Sequence, residues 1–213
     1  MLNPLMDCPL CSSTSNFYAT ARGRSYHRCT SCLSVFLDPA QRLSFNDEEI
    51  RYRKHNNNIL DLRYQNFVSP IVEAVIEKYS QELTGLDYGA GPGPVVAYML
   101  KQKGYNLTLF DPYFHNNPTA LLTQYNFIVC SEVAEHFYNP YNEFAKLRSL
   151  LKPNGTLFCL TDIFPEEVDF QNWHYKNDET HVFFYHSKAL DFIVTEFGFK
   201  SVKVNGRLVE FSL

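Results

Sequence analysis

The chain has 213 residues, 45% of them hydrophobic and 20% charged, with a formal net charge of −4. That length supports one domain of ordinary size with at most a small appendage. The composition excludes a disordered tail protein, and the acidic balance argues against a strongly electropositive nucleic-acid binder. Met1 to Leu10 has no basic segment leading into an apolar run, so no secretory signal is expected, and no apolar stretch has the length of a membrane span. The expected location is cytoplasmic, where thiols stay reduced.

Two CxxC pairs come first in the chain, Cys8-Pro-Leu-Cys11 and Cys29-Thr-Ser-Cys32, separated by 17 residues. Each pair forms a knuckle that aims two thiolates at one tetrahedral ion, and this spacing is that of a zinc ribbon. Iron is the alternative ion for the same four sulfurs. Four sulfur ligands leave no position for a catalytic water, so the metal is expected to be structural. Between the knuckles, Phe17–Thr20 and Ser25–His27 read as short strands around a turn at Gly23, with His27 as a surface residue. Ser12 stands where ribbons often carry glycine. So small a segment buries little apolar surface alone, so metal binding is expected to supply most of its folding free energy. Cys130 and Cys159 lie in apolar runs far downstream and read as core.

After a polar stretch, Asp38-Pro39 marks a turn and Asn46 to Glu49 a helix start. Apolar residues at 60, 64, 67, 68, 71, 72, 75, 76 and 79 have a helical period, and Ser69-Pro70 within them reads as an N-cap and first-turn pair. Two helices, or one kinked helix, are expected there. From residue 83 the pattern alternates: strand Leu83–Tyr88, helix Val95–Lys103 opened by Pro94 and closed by Gly104, strand Asn106–Phe110, strand Tyr125–Cys130, helix from Asn139-Pro140 to Leu151, and strand Thr156–Thr161. Strands alternating with helices predict a doubly wound, mostly parallel sheet. A helix capped by Ser187 follows, and Asn205-Gly206 between Phe199–Val204 and Arg207–Leu213 predicts an antiparallel C-terminal hairpin.

The turn Asp87-Tyr-Gly89-Ala-Gly91-Pro-Gly93 passes from a strand into a helix, so its backbone can approach a ligand closely beside free helix N–H groups. Asp111 lies 20 residues after Gly91, at the end of the next strand, where an acidic residue meets ribose hydroxyls. An adenosine-bearing cofactor is expected. The spacing GxGxG differs from the dinucleotide pattern, which would have its third glycine at Pro94, and Asp87 would repel a pyrophosphate while suiting an amino group beside a sulfonium. Both points, with the terminal hairpin, oppose a nicotinamide oxidoreductase.

On LDYGAGPG (86–93), LFDP (109–112), FIVCSEVAEHF (127–137), LLKPNGTLF (150–158) and the tail from Trp173 to Phe199, the chain resembles the class I S-adenosylmethionine-dependent methyltransferases. More narrowly it is similar to a subgroup with an N-terminal zinc ribbon and an RYRKHNNN segment (51–58). The resemblance implies an α/β fold, a Rossmann-like methyltransferase sheet that is mostly parallel and ends in an antiparallel hairpin. Only 13 residues separate Asp111 from Tyr125, so the third strand is expected to be shortened or missing. The implied organisation is a ribbon over 1–37, a helical connector or lid over 38–80, and the methyltransferase domain over 81–213.

Carried over, Gly89, Gly91 and Gly93 would turn around the methionine moiety of S-adenosylmethionine, Asp87 would support that turn and the ligand amino group, and Asp111 would hold both ribose hydroxyls. Pro112 and Tyr113 would lie near adenine, and Cys130, Ser131 and Glu132 would line the space where donor meets acceptor. Cys8, Cys11, Cys29 and Cys32 would hold structural zinc. Glu132, His136 and His181 are the candidate catalytic groups, with His174 behind them; for His136 the competing role is ordering its loop, and for His181 an ordinary surface position. Tyr52, His55 and Asn57 could close over the cofactor or form a solvated helix start. Phe127, Phe158, Phe183 and Phe184 read as core. Tyr113, Phe114, Phe137, Tyr138, Trp173 and Tyr175 fall in loops and read as the lining of a flat or apolar acceptor pocket.

Residues 1–54 hold seven Lys and Arg against five Asp and Glu, net +2, which leaves −6 for the remainder. That asymmetry is too mild for a phosphate-tracking surface. A small-molecule acceptor is therefore the leading expectation, ahead of an RNA methyltransferase that reads its substrate with the ribbon and a non-catalytic ribbon adaptor. No membrane partner is expected, and the sequence leaves the oligomeric state open.

Overall fold

Arg22 and Gly23 both take positive φ, 50° and 76°, the pairing that two-residue hairpins prefer. They join β2 (Thr14–Ala21) to β3 (Arg24–Cys29), both longer than the sequence suggests. In the computed structural model, which describes residues 6–54 and 57–213, these strands belong to an antiparallel sheet ordered β1-β2-β3-β4-β9. Here β1 is Met6–Asp7, β4 is Val35–Leu37 and β9 is Phe183–Phe184. The pairing of β4 with β9 sets Val35 against Phe184 and Phe36 against Phe183. The ribbon sheet therefore recruits a strand from the far end of the chain. Cys8, Leu10, Cys29, Cys32 and Phe36 share one core with Ile128, Cys130 and Phe144, so the segment buries its apolar residues against the main body as well as around its thiols. His27, expected at the surface, is instead 3% exposed, with its ring stacked on Phe36 of β4 and edge to face with Phe17 of β2.

The second sheet runs β10-β11-β8-β7-β5-β6. Its members are β5 (Gly85–Tyr88), β6 (Leu107–Phe110), β7 (Tyr125–Ser131), β8 (Leu151–Leu160), β10 (Ser201–Asn205) and β11 (Leu208–Ser212). The β5–β6, β5–β7 and β7–β8 pairs are parallel, while β11 pairs antiparallel with β8 and β10. Thus β6 is an edge. Between β6 and β7 the described residues form a turn bridging Asp111 to His115 and a short 3-10 turn over Pro118–Leu122, with no third strand.

Helices α1 (Phe45–Tyr52), α2 (Leu62–Lys78), α3 (Val95–Gln102), α4 (Pro140–Ser149) and α5 (Ser187–Phe197) complete the fold. Ser69-Pro70 does not start a helix. α2 is continuous from its N-cap Asp61, with Pro70 inside it. Burial of Val68, Ile71, Val72 and Val75 on both sides of the proline outweighs the hydrogen bond that Pro70 cannot donate. At α5 the cap is His186, whose side chain accepts from Lys188 N, and Ser187 is the first helical residue. Gly198, at φ 70°, closes it in the left-handed conformation.

Strand alternation sorts β7. Phe127 and Val129 face the cluster under α2 and α3, whereas Ile128 and Cys130 face the opposite core with α4 and α5. The C-terminal ends of β5, β6, β7 and β8 open on one side, where an open α/β sheet places its ligands.

Candidate active site

A cavity of about 1030 Å³ lies over those strand ends. Pockets that enclose one drug-sized ligand run to ~300–1,000 Å³, so this one has room for two small molecules. The glycine turn forms part of its wall. Gly89 and Ala90 donate their N–H groups to Phe110 O at 2.8 and 3.1 Å, which ties the turn to the end of β6. Gly89 has φ 78°, and a Cβ there would meet Val133 Cγ2 at 2.4 Å. A Cβ on Gly93 would lie 1.8 Å from Asn57 O. The chain before α2 therefore roofs the loop so closely that only glycine fits beneath it.

Asp111 is 6% exposed. Its Oδ2 accepts from Gly91 N at 2.9 Å, and its Oδ1 from Tyr113 N and Phe114 N at 2.8 and 3.0 Å. Three backbone donors hold the carboxylate facing the cavity and leave acceptor capacity on Oδ2. Asp87, 3% exposed, also lines it. Burial pushes the Asp87 carboxyl up to about 7, with Asp111 adding repulsion and the Ala97 N–H opposing the rise. Both carboxylates sit where a ligand with hydroxyl and ammonium groups would find its partners.

Beside that turn, the chain leaves β7 through Ser131 and Glu132, the latter with φ 54°. Cys130, expected here, is instead fully buried and faces Cys159 across the β7–β8 ladder, on the core side of the strand. Glu132 pairs with Arg207 at 2.5 Å, and Arg207 Nε also pairs with Asp162. Burial and the nearby Glu135 push the Glu132 carboxyl up to about 8 against the pull of Arg207.

Glu135 is fully buried; it accepts from Tyr175 OH at 2.5 Å and Thr161 Oγ1 at 3.0 Å. His136 Nδ1 lies 2.9 Å from Thr180 O, and His181 Nδ1 lies 2.7 Å from Tyr175 O. A carbonyl only accepts, so in each ring Nδ1 is the donor and the neutral ring carries its lone pair on Nε2. The two rings meet edge to face at 4.8 Å. Burial and the neighbouring His136 lower His181 to about 4, so it is neutral near pH 7. His174, on the cavity margin, is 80% exposed at its side chain and lies 3.7 Å from Asp162.

The ribbon sheet reaches this cluster through its edge. Leu37 N donates to Val182 O and Val182 N to Glu135 O, both at 2.9 Å, which fixes the segment carrying His181. Opposite, α1 presents Glu48 and Tyr52 to the cavity, with Tyr113 OH donating to Glu48 at 2.8 Å and Phe45 stacked on Tyr113 at 4.4 Å. Arg51 on α1 pairs with Asp178 at 2.9 Å, joining this helix to the His181 loop. Tyr52 and Asn57 therefore face the cavity, while His55 lies outside the described residues. Of the loop aromatics, Tyr113, Phe114, Phe137, Tyr138 and Tyr175 line it. Trp173 does not; it packs with Phe164 and Phe184 in the core beneath the ribbon sheet.

Glu48, Glu135 and Arg207 were not among the site candidates, although the sequence places Glu48 at a helix start and Arg207 at the start of a strand. The signal for Arg207 was present, since pairing β11 to β8 carries the residue before Leu208 past the end of β8, where Thr161 N donates to Arg207 O at 3.0 Å. Glu48 gives no such signal, because nothing local says that α1 folds back over the sheet.

At the ribbon, the Cys8–Cys32 and Cys11–Cys29 sulfurs are 3.7 and 3.4 Å apart, and all four lie within 4.8 Å of one another. A tetrahedral ion with metal–sulfur bonds of about 2.3 Å needs sulfurs about 3.8 Å apart, so the set fits one. Ser12 and Leu33, each following a knuckle, share φ values of 58° and 57°, so the two knuckles have one geometry.

Residues 53–204 match the family described as "Methyltransferase domain". Among curated proteins, the ubiquinone biosynthesis O-methyltransferases of Histophilus somni and Actinobacillus pleuropneumoniae are 27% and 26% identical to this chain over 95 residues. Each match covers 43% of this chain and 40% or 41% of the relative, so it spans about two fifths of their length. Among solved structures, the 1,6-didemethyltoxoflavin-N1-methyltransferase of Burkholderia thailandensis has a TM-score of 0.54 at 16% identity, covering 92% of this chain and 98% of that one. An O-methyltransferase family protein from the same organism has a TM-score of 0.52 at 13% identity, covering 78% and 61%. At these identities the likeness speaks to the fold.

Proposed function

The chain belongs to the methyltransferase domain family, and from that premise we propose that it transfers a methyl group from S-adenosylmethionine to a small-molecule acceptor. The observation that carries this reading is one cavity lined by both the Asp87–Gly93 turn with Asp111 and the Glu132–His136–His181 group. Two names among the similar proteins support it: the curated relatives are O-methyltransferases, and the toxoflavin enzyme was solved with S-adenosylhomocysteine and its small acceptor bound.

In this reading Asp111 receives a ribose hydroxyl on Oδ2, Asp87 faces the ammonium group, and Gly89 to Gly93 pass beneath the methionine moiety. Pro112 and Tyr113 lie by the adenine. The cofactor supplies a methyl group on a sulfonium sulfur, which retains the electron pair when the acceptor takes the methyl. The protein's work is then alignment and exclusion of water. Tyr52, Asn57 and Tyr113 cover the cavity from the α1 side, and Arg207 holds Glu132 beside the acceptor space. His136 and His181 turn their rings toward the acceptor space, with Nδ1 of each held by a backbone carbonyl. The four ribbon cysteines hold a structural zinc ion, and the β4–β9 pairing transmits that order to His181.

Calorimetry with S-adenosylhomocysteine tests the reading. One site per chain, weakened in Asp111→Ala, is expected; no heat at millimolar ligand would leave the adaptor role in its place. Tight, steeply salt-dependent binding of bulk RNA would move the acceptor to nucleic acid.

A further inference from the structure

Glu135, His136 and His181 bring one carboxylate oxygen and two imidazole nitrogens within 4.8 Å of one another. Their surroundings are those of ligands to an ion. Each imidazole commits Nδ1 to a backbone carbonyl, which fixes the ring and leaves Nε2 as the lone-pair atom, the second-shell arrangement of metal-bound histidines. The carboxylate is likewise oriented by the Tyr175 and Thr161 hydroxyls.

Charge points the same way. Glu135 is fully buried, and among the described residues its one ion-pair contact is His181 Nε2, at 3.9 Å. Glu132 and Asp162 stand nearby with Arg207 shared between them. The Tyr175 and Thr161 hydroxyls that hold the carboxylate bring no positive charge to it. Bonds of about 2.1 Å to a four-coordinate ion place ligand atoms about 3.4 Å apart. The Glu135–His181 separation requires only a modest contraction.

We propose that Glu135, His136 and His181 form a second metal site, separate from the cysteine site, that takes one divalent first-row transition-metal ion. Three protein ligands leave positions open toward the cavity that His136 and His181 line. Those positions suit oxygen atoms of the acceptor, so the acceptor class becomes an oxygenated small molecule bound through the ion. This use of the site rests on the methyltransferase reading; the ion site itself rests on the three side chains.

The test uses full-length protein carrying a single equivalent of zinc, which the four thiolates take first, titrated with Mn2+ and followed by electron paramagnetic resonance. One Mn2+ per chain is expected with an affinity below 1 mM, at least tenfold weaker in His136→Gln and in His181→Gln. Pulsed measurements on the wild type should show nitrogen couplings from two imidazoles, a readout independent of whether the variants fold. Absence of saturable binding, or bound Mn2+ without those couplings, overturns the proposal. Calorimetry with S-adenosylhomocysteine on the same samples separates the two claims: homocysteine-adduct binding without Mn2+ binding removes only the ion site, and the reverse removes only the methyltransferase reading.

Discussion

Replacing Asp87 by Asn should stabilise the ligand-free protein while weakening its cofactor site. The carboxyl is 3% exposed and is raised from 3.8 to about 7, chiefly by burial. A folded-state value above the unfolded one means that the folded protein holds the proton more tightly, so the charged form opposes folding. The cost is fully present above the folded value, where it reaches about 4 kcal/mol, and it fades as pH falls from about 7 toward 3.8. Asn carries no charge to desolvate and keeps an oxygen for the Ala97 N–H. Urea unfolding of both proteins across the pH range should show Asp87→Asn more stable at pH 8 and nearly equal at pH 4, with the gap widening by about 2.5 kcal/mol between pH 5 and 8. In the same variant the affinity for S-adenosylhomocysteine should fall about 10- to 100-fold, which is about 1.4–2.7 kcal/mol. A stability gap that does not change with pH would refute the burial argument. An unchanged affinity would refute the placement of the ligand ammonium group.

Asp111→Ala removes the acceptor of three backbone N–H groups as well as the proposed ribose partner, so calorimetry should show at least a tenfold loss of affinity in a protein that still folds. Full affinity would end its assignment. Gly93→Ala places a methyl group where Asn57 O now lies, 1.8 Å away. The roof over the glycine turn must move, and cofactor affinity should fall with little change in the urea midpoint; unaltered affinity would show that Asn57 does not wall the site. Cys8→Ser should lose about one equivalent of zinc by elemental analysis and melt at a lower temperature. Retained zinc would overturn the four-cysteine site. Because Leu37, Val182 and Glu135 are linked in series, that variant should also lose activity, read as methyl transfer.

Features written locally in the chain were legible in it. The glycine turn, the acidic end of β6, the Asn205-Gly206 hairpin and the two knuckles each depend on a few adjacent residues with fixed conformational demands. The short gap between Asp111 and Tyr125 foretold the missing strand on length alone. What escaped depends on distant partners. Two residues, Phe183 and Phe184, carry no period, so their pairing with β4 has no local signature, and the burial of His27 depends on Phe17 and Phe36 from the strands beside it. The misplacement of Cys130 is different in kind: strand alternation puts it on the face of Ile128, opposite Ser131, and applying that rule across β7 would have kept it out of the cavity. Of the two arrangements that Ser69-Pro70 left open, the single helix is the one formed, because a helix held by burial tolerates a local penalty that propensity alone would not. Glu135 passed unremarked because its importance lies in what surrounds it, namely Tyr175, Thr161 and His181, all at least 26 residues away in sequence.

A crystal structure of the zinc-loaded protein with S-adenosylhomocysteine tests the central claim most directly. The account predicts the ligand in the cavity above β5 and β6, with a ribose hydroxyl on Asp111, the ammonium group facing Asp87 and the sulfur turned toward Glu132 and His136. Ligand density elsewhere, or a cavity without ligand at saturating concentration, would contradict it.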